Sequence, residues 1–340
     1  VADNMQRGVD LPLYVGVPFT ANQLAQSLAE FKADGGQYVS VNVWWFQDTP
    51  NSTVIAPSTS NGDFSVPDSE VVSVIQAIHA AGLQAALKPI VDATTYNSTQ
   101  TWRGYLPGGN AWFIGTNNNG YDNFLDHYAT IAAQNNVSLF VVGTELASTQ
   151  WDTADWVNAI NGVKSIYSGK LSYAANWDTG SSPIWNAVPW WSSVDYIGID
   201  AYYPISGSTQ AQLNASWASE AGIINTWWNA LPADQRKPIL FTEVGYDNSN
   251  PQMQANDYQA LLSTLWGKEP WFDGVYWWDW TPRANPPAPD DSLILQSEPA
   301  EQVMASYYAT PEPSTWALGL SGLLALGIPS LRRRFCTSKT

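Results

Sequence analysis

The sequence predicts a single closed (β/α)8 barrel, and three observations carry that expectation. Residues 1–310 of the 340 show no linker, charge block or short-period repeat. A chain that long stays undivided chiefly in large closed α/β architectures. Eight short apolar, β-rich runs alternate with amphipathic helical patterns, as parallel strands covered on both faces do. Polar and aromatic residues then gather just past one end of those runs and not the other, the asymmetry of a barrel whose strand C-termini carry its chemistry.

The runs lie at 13–17, 38–45, 85–91, 139–143, 171–175, 196–199, 239–242 and 274–278. Helical periodicity falls at 22–32 after Thr20, at 69–81 before Gly82, and at 121–134, 155–167, 211–228 and 256–266. A doubly wound sheet is the alternative, but no glycine-rich turn follows the first run as a dinucleotide fold requires. The stretch 93–120, rich in Gly, Asn and Thr, reads as a long loop over the mouth that carries Trp102 and Arg103. The four prolines of 282–289 predict a rigid extended loop after strand eight.

Fourteen Lys and Arg against thirty Asp and Glu give a net charge of −16 and a pI near 4.2. The last thirty residues carry +3, leaving −19 on the remainder. A surface so negative repels phosphate backbones, which excludes nucleic acid as a main partner. Nineteen Trp, sixteen Tyr and ten Phe exceed what a core readily takes, since each buried indole N–H needs an acceptor. Many of these rings are therefore expected to line a groove for a flat, partly polar ligand, with the others packed inside. Cys336 is the one cysteine, and His79 and His127 are the only histidines. Disulfides, thiolate metal sites, zinc–histidine chemistry and histidine triads are thereby excluded. The sequence implies no metal and no organic cofactor.

Two glutamates are the sharpest candidates. Glu145 and Glu243 each end an apolar run, where a carboxylate is costly unless paired or functional. They fall on strands four and seven, facing one another across the mouth. Two opposed carboxylates are what glycoside hydrolysis needs, one to protonate the leaving oxygen and one to attack the anomeric carbon or activate water. A retaining pair should lie roughly 5–5.5 Å apart. The competing reading pairs each glutamate with Lys88 or Arg103 at the rim.

Here the chain resembles a known family. Glutamates ending strands four and seven mark the large clan of retaining (β/α)8 glycosidases. Within that clan, five strings taken in order resemble glycoside hydrolase family 113: Trp102-Arg103-Gly104, Gly143-Thr144-Glu145-Leu146, the run from Tyr173 to Asp178, the run from Asp195 to Tyr202, and Thr242-Glu243-Val244-Gly245-Tyr246. The resemblance spans roughly residues 8–308. It implies an endo-β-1,4-mannanase with Glu145 as acid/base, Glu243 as nucleophile, and Trp278 or Trp280 beneath the sugar at the cleavage point. Two positions depart from the pattern. Thr144 stands where much of the clan has an asparagine that holds the sugar 2-hydroxyl, with Asn176 a substitute donor, and Ile90 stands where a histidine is expected after Lys88-Pro89.

Around that pair, Trp44, Trp45, Trp102, Trp177, Trp278 and Trp280 are candidates to stack on pyranose faces, each with a core reading besides. Lys88 and Arg103 are candidates to contact hydroxyls or a neighbouring carboxylate, and Asp200 and Tyr202 sit beside the expected nucleophile, where a tyrosine hydroxyl helps keep it ionised. Asp92 and Asp279 have calcium ligation as an alternative, although no Asp-rich loop of ligand spacing appears. The second function class is a carbohydrate-binding barrel whose chemistry has lapsed, displayed for adhesion or exopolysaccharide organisation.

Residues 311–340 form a separate segment. Pro311-Glu312-Pro313 precedes an apolar run over 316–331 and then Arg332-Arg333-Arg334. This order resembles the PEP-CTERM sorting tail of exopolysaccharide-producing Gram-negative bacteria. It implies a short apolar helix inserted transiently in a membrane, an exosortase-type processing enzyme as partner, and a cell-surface or extracellular product; a plain membrane anchor is the other reading. No charged or apolar leader opens the chain at Val1, so an export signal is expected to have been removed or to lie outside these residues.

Overall fold

The computed structural model describes residues 5–13, 19–60, 63–94, 102–177, 184–282 and 293–309. Eight parallel strands close on themselves: β1 (Gln6–Pro12), β2 (Tyr38–Gln47), β3 (Gln84–Ala93), β4 (Leu139–Thr144), β5 (Lys170–Asn176), β6 (Tyr196–Asp200), β7 (Ile239–Val244) and β8 (Phe272–Trp277). Each pairs in parallel with the next, and β1 pairs with β8 to close the ring. The helices are α1 (Ala21–Ala33), α2 (Asp68–Ala80), α3 (Asn110–Ile114), α4 (Tyr121–Gln134), α5 (Thr153–Ile166), α6 (Gln210–Ala230), α7 (Pro251–Leu265) and α8 (Pro299–Tyr308). Among the described residues between β5 and β6 lie two short 3-10 turns, Ile184–Ala187 and Trp191–Ser193. A two-stranded hairpin, Thr59–Ser60 with Asp63–Phe64, lies between β2 and α2.

Two corrections concern element placement. The first strand occupies Gln6–Pro12 rather than 13–17. Polar Gln6 and Asp10 alternate with Val9 and Leu11, so the strand lacks the continuous apolar run that marks its neighbours. Tyr276 of β8 packs flat on Gly8, where an added Cβ would lie 2.5 Å from the ring, so no larger residue fits there. The stretch 93–120 is not one irregular loop: its described part holds the 3-10 turns Arg103–Tyr105 and Thr116–Asn118 and helix α3.

The core explains most of the tryptophans. Nine of the nineteen are fully buried, among them Trp112, Trp156, Trp190, Trp217 and Trp280. Six of these nine indole N–H groups donate to a partner among the described residues, as Trp112 does to Gln47 Oε1 (2.8 Å), Trp190 to the Gln150 carbonyl (3.0 Å) and Trp217 to Tyr246 Oη (2.8 Å). Trp112 stacks on Tyr121 and Trp156 on Trp190, filling the layer between strands and helices. The expectation that many of the rings line a groove is thus corrected: packing takes the larger share. Among the described residues no helix is long and apolar enough to cross a membrane. The tail 311–340, with its expected apolar helix, and most of the proline-rich loop after β8 lie outside the described residues.

Candidate active site

Alternation along the strands decides what reaches the mouth. On β3, Lys88, Ile90 and Asp92 point into the barrel at rising heights, while Leu87 and Val91 face the helices. The same parity turns Trp44 inward, where it packs with Ile90 and Trp278, and turns Trp45 outward. Register shifts in β7 bring Glu243 level with Asp200, and one in β4 precedes Thr144.

The expected nucleophile lies in a buried ionic group. Lys88 Nζ, wholly enclosed, donates to Glu243 Oε1 at 2.5 Å, to Asp200 Oδ1 at 3.1 Å and to the Thr242 carbonyl at 3.3 Å. Tyr202 Oη donates to Glu243 Oε2 at 2.9 Å, and Thr242 Oγ1 to Asp200 Oδ1 at 2.7 Å. Both oxygens of Glu243 are therefore held by donors. Burial opposes charge on Lys88, but Asp200, Glu243 and Asp10 together raise its pKa, so it stays an ammonium.

Sequence reasoning missed the fourth member of this group. Asp10 of β1 is completely buried, and neither carboxyl oxygen meets hydrogen-bond geometry. Burial first, then Glu243, pushes it well above the usual carboxylate range, and Lys88, Ser40 and Asn42 only partly offset that. Asp200 is raised likewise, by burial and by Glu243. One ammonium serves three buried carboxyls here, so not all of them ionise. Its signal lay in the alternation of Gln6, Gly8 and Asp10 against Val9 and Leu11.

Glu145 immediately follows β4 in a left-handed backbone conformation (φ 52°), unusual for a residue with a Cβ and typical of functional sites. Its backbone N–H donates to the Ala174 carbonyl at 2.7 Å, which fixes the turn. Asn176 Nδ2 donates to Oε1 at 2.8 Å, while Arg103 Nη1 (3.2 Å) and Trp102 Nε1 (3.3 Å) converge on Oε2. Arg103 is itself clamped by Asp92 through a bidentate pair at 2.9 and 3.0 Å. Burial raises the Glu145 pKa, and Glu243 adds to it, against the lowering effects of Arg103, Lys88 and Trp102.

The structure thus gathers Glu145, Glu243, Lys88, Trp102, Arg103, Asn176, Asp200 and Tyr202 at one end of the barrel, with Trp278 beside them in the Trp44–Ile90 cluster. It also joins the two readings of the glutamates, since each pairs with a cation while lining the mouth. Asp92 grips Arg103. Four residues need correction or comment. Trp45 packs on Phe124, His127 and Tyr128 of α4, so it presents no face to the mouth. Trp280 is buried against Phe31 and donates to Ser27 Oγ at 2.9 Å, so it too is a core residue. Trp177 leans edge-on against Tyr203, half-buried beside Asn176. Thr144 Oγ1 is buried and has no hydrogen-bond partner among the described residues. Among the described residues no three His, Cys, Asp or Glu side chains converge as metal ligands do.

Comparison with known proteins agrees with this geometry. The family model of Glycoside Hydrolase Family 113 matches residues 16–292. A complex structure of a glycoside hydrolase family 113 β-1,4-mannanase superposes with a TM-score of 0.71 at 23% identity, covering 91% of this chain and 100% of that one. The family 113 β-mannanase of Alicyclobacillus acidocaldarius, solved with ManMIm, gives 0.72 at 25% identity over 90% of this chain and 97% of its own. The endo-1,4-β-mannanase of Rhizomucor miehei shares the fold (TM-score 0.60, 14% identity, 90% and 94% covered). A search of curated proteins finds no match.

Proposed function

The chain belongs to glycoside hydrolase family 113, and from that membership we propose that it cleaves β-1,4-linked mannan internally, by double displacement with retention. The observation that carries the mechanism is the unequal treatment of the two glutamates. Glu243 is held between the Lys88 ammonium and the Tyr202 hydroxyl, which donate to its two oxygens and aim it into the mouth. Glu145 is raised by burial, which favours its acid form.

In the first step, a Glu243 oxygen bonds to the anomeric carbon as the glycosidic C–O bond breaks and the Glu145 proton passes to the departing oxygen. Glu145, now ionised, is steadied by Arg103, Asn176 and Trp102. It then takes a proton from water as that water displaces Glu243 from the anomeric carbon, freeing the product and restoring both groups. Trp278, with Trp44 and Ile90, supplies an apolar wall beside the sugar, and Trp177 borders it. Asp200 holds Lys88 in place. This scheme uses no metal and no organic cofactor. Mannan as substrate is supported by the likeness, over nine-tenths of the chain, to solved family 113 β-mannanases.

The tail reading is proposed on the sequence alone. Residues 311–340 are an appendage to the barrel of 1–310, exported with it and inserted transiently through 316–331. An exosortase-type enzyme cuts near Pro311-Glu312-Pro313, leaving the barrel at the cell surface or outside the cell.

The test is reducing-end release from β-mannan, glucomannan, xylan, cellulose and β-1,3-glucan, run beside Glu145→Ala and Glu243→Ala. Product from the mannans, absent in both variants, is the expected result. Binding without product from any glycan would instead establish the lapsed, carbohydrate-binding barrel.

A further inference from the structure

At the end of the barrel opposite the two glutamates, the strand starts surround a hollow of about 860 Å³. Sites for small ligands span roughly 300–1,000 Å³. Tyr38, Gln84 and Tyr196 line it as the first residues of β2, β3 and β6, with Gln37 just before β2 and Asp273 near the start of β8. Both tyrosines are half-buried. None of these side chains takes part in the mechanism above.

The hollow is separate from the reacting centre and firmly built. Tyr276 packs with Ala86, Leu139 and Leu240 as a plug beneath it, and Ala86 lies between Gln84 and Lys88 on the inward face of β3. Tyr38 meets the Tyr276 ring edge-on at 6.3 Å. At the wall, Arg7 Nη1 donates to the Tyr308 carbonyl of α8 at 2.6 Å, and Lys32 Nζ of α1 donates to the Gly82 carbonyl. The Gln37 N–H donates to the Arg7 carbonyl at 2.9 Å, and the Gln84 N–H to the Gln37 carbonyl at 2.8 Å. A ligand therefore meets a preformed surface, which lowers the entropic cost of binding.

The polar groups facing this hollow are not consumed by the fold. Among the described residues, the Gln37 amide, the Tyr38 hydroxyl and the Asp273 carboxyl have no hydrogen-bond partner. Gln84 accepts from Ser138 Oγ through Oε1, which leaves its amide N–H groups to donate elsewhere. Burial pushes the Asp273 carboxyl up to about 6. An anionic ligand is disfavoured, because Asp273 repels it while Arg7 and Lys32 already donate to carbonyls. A metal cation would find one carboxyl and two opposing positive charges. A neutral ring bearing several hydroxyls fits best. Amides and a carboxyl exchange hydrogen bonds with adjacent hydroxyls, and tyrosine rings pack on the apolar C–H faces of a pyranose.

We propose that this hollow is a second carbohydrate site, holding polysaccharide on the face of the barrel away from the cleavage point. For the identity of the sugar it rests on the mannan reading above. Two sites at opposite ends let the enzyme stay on a polymer that its mouth has released. The gain is in effective concentration, so it applies to long chains and not to short ones.

The experiment titrates mannohexaose calorimetrically into the full chain carrying Glu243→Ala. The same titration is run with Gln37→Ala, Asp273→Ala or Ile223→Ala added, the last being an exposed control on α6. The expected result is two binding events per chain in the parent and in the control. Gln37→Ala and Asp273→Ala each weaken one event by about tenfold, as loss of a hydrogen bond to a ligand does, and leave the other unchanged. With Glu243 restored, both variants match wild type in kcat/KM on mannotriose and lose kcat/KM on β-mannan. One event in the parent, or two that neither variant changes, while wild type cleaves mannan, would overturn the hollow and leave the glycosidase standing. Equal losses on mannotriose and mannan would also overturn it, since the residues would then serve the fold. Two events, one weakened by these variants, with no cleavage by wild type would uphold the hollow and overturn the glycosidase reading. Neither binding nor cleavage would overturn both.

Discussion

Lys88 Nζ lies 2.5 Å from Glu243 Oε1 and 3.1 Å from Asp200 Oδ1, with the lysine wholly sealed from solvent. A buried ammonium between two carboxylates is tolerated because each partner offsets the desolvation of the other. Removing it leaves the carboxylates with like charge and no cation between them. Lys88→Met should therefore lose about 3–5 kcal/mol of stability. Turnover should fall by about 10²–10³-fold as the group that favours the ionised nucleophile disappears. Thermal melts and kcat on mannan check the two effects; a folded variant with near-normal kcat would show that Glu243 needs no such support.

Asp10 should behave in the opposite sense. Its folded-state pKa lies well above that of an unfolded-chain aspartate, about 3.9, chiefly through burial. A raised carboxyl stabilises the fold below the unfolded value and loses that contribution as pH rises towards the folded one. Asp10→Asn removes this dependence. Its melting temperature should exceed that of wild type at pH 7–8, and the difference should shrink towards pH 4. A variant less stable at every pH would mean that Asp10 is ionised and paired with Lys88.

Much of this arrangement was legible before any coordinates. Glu145 and Glu243 stand out because each ends an apolar run, and the polar strand ends lie on one side only. Lys88 and Arg103 were visible as rim cations, but their division of labour was not, since it depends on which of three carboxyls each meets. Trp44 and Trp45 show how far alternation reaches: adjacent in sequence, they face opposite sides of one strand, and parity with Asn42 of β2 separates them. Trp280 was harder, because it lies past the end of β8, where no periodicity indicates that it turns back onto Phe31 and Ser27. β1 was misplaced because Asp10 broke its apolar pattern, and that interruption was itself part of the site. Helix α8 (Pro299–Tyr308) has only ten residues and buries just Ala300, Met304 and Tyr308, too short a pattern to stand out from the loop before it.

Glu145 should set the alkaline side of the pH profile. Burial raises its pKa, so the acid form extends above the ordinary glutamate range, and kcat/KM falls once pH passes through the raised value. Glu145→Ala should cut polysaccharide turnover by about 10²–10⁴-fold and abolish that alkaline limb. With a dinitrophenyl β-mannoside the first step needs no proton, so glycosyl-enzyme accumulates. Azide then displaces Glu243 at the anomeric carbon, giving a β-mannosyl azide and a rise in rate. Formation of the α-azide, or no rescue in a folded variant, would overturn the assignment of Glu145 as acid/base.

Gly104 offers a way to disturb Glu145 without touching it. A Cβ built there would lie 2.0–2.4 Å from three atoms of the Trp102 ring, too close for both to stay. An indole is stiff and cannot yield by bending, so Gly104→Ala must displace Trp102 or the turn Arg103–Tyr105 that begins beside it. Either movement withdraws the Trp102 N–H from Glu145 Oε2, and movement of the turn also strains the Arg103–Asp92 clamp. The Glu145 carboxylate thus loses a lowering influence, and the alkaline limb of kcat/KM should move to higher pH as kcat falls by about tenfold. Trp102→Phe, which keeps a ring but removes the N–H, should move that limb in the same direction while leaving the turn in place. If Gly104→Ala lowers kcat with the limb unmoved while Trp102→Phe moves it, the added methyl has left the Trp102 N–H on Glu145, which overturns the displacement argued from Gly104. If neither variant moves it, the Trp102 hydrogen bond does not tune the acid.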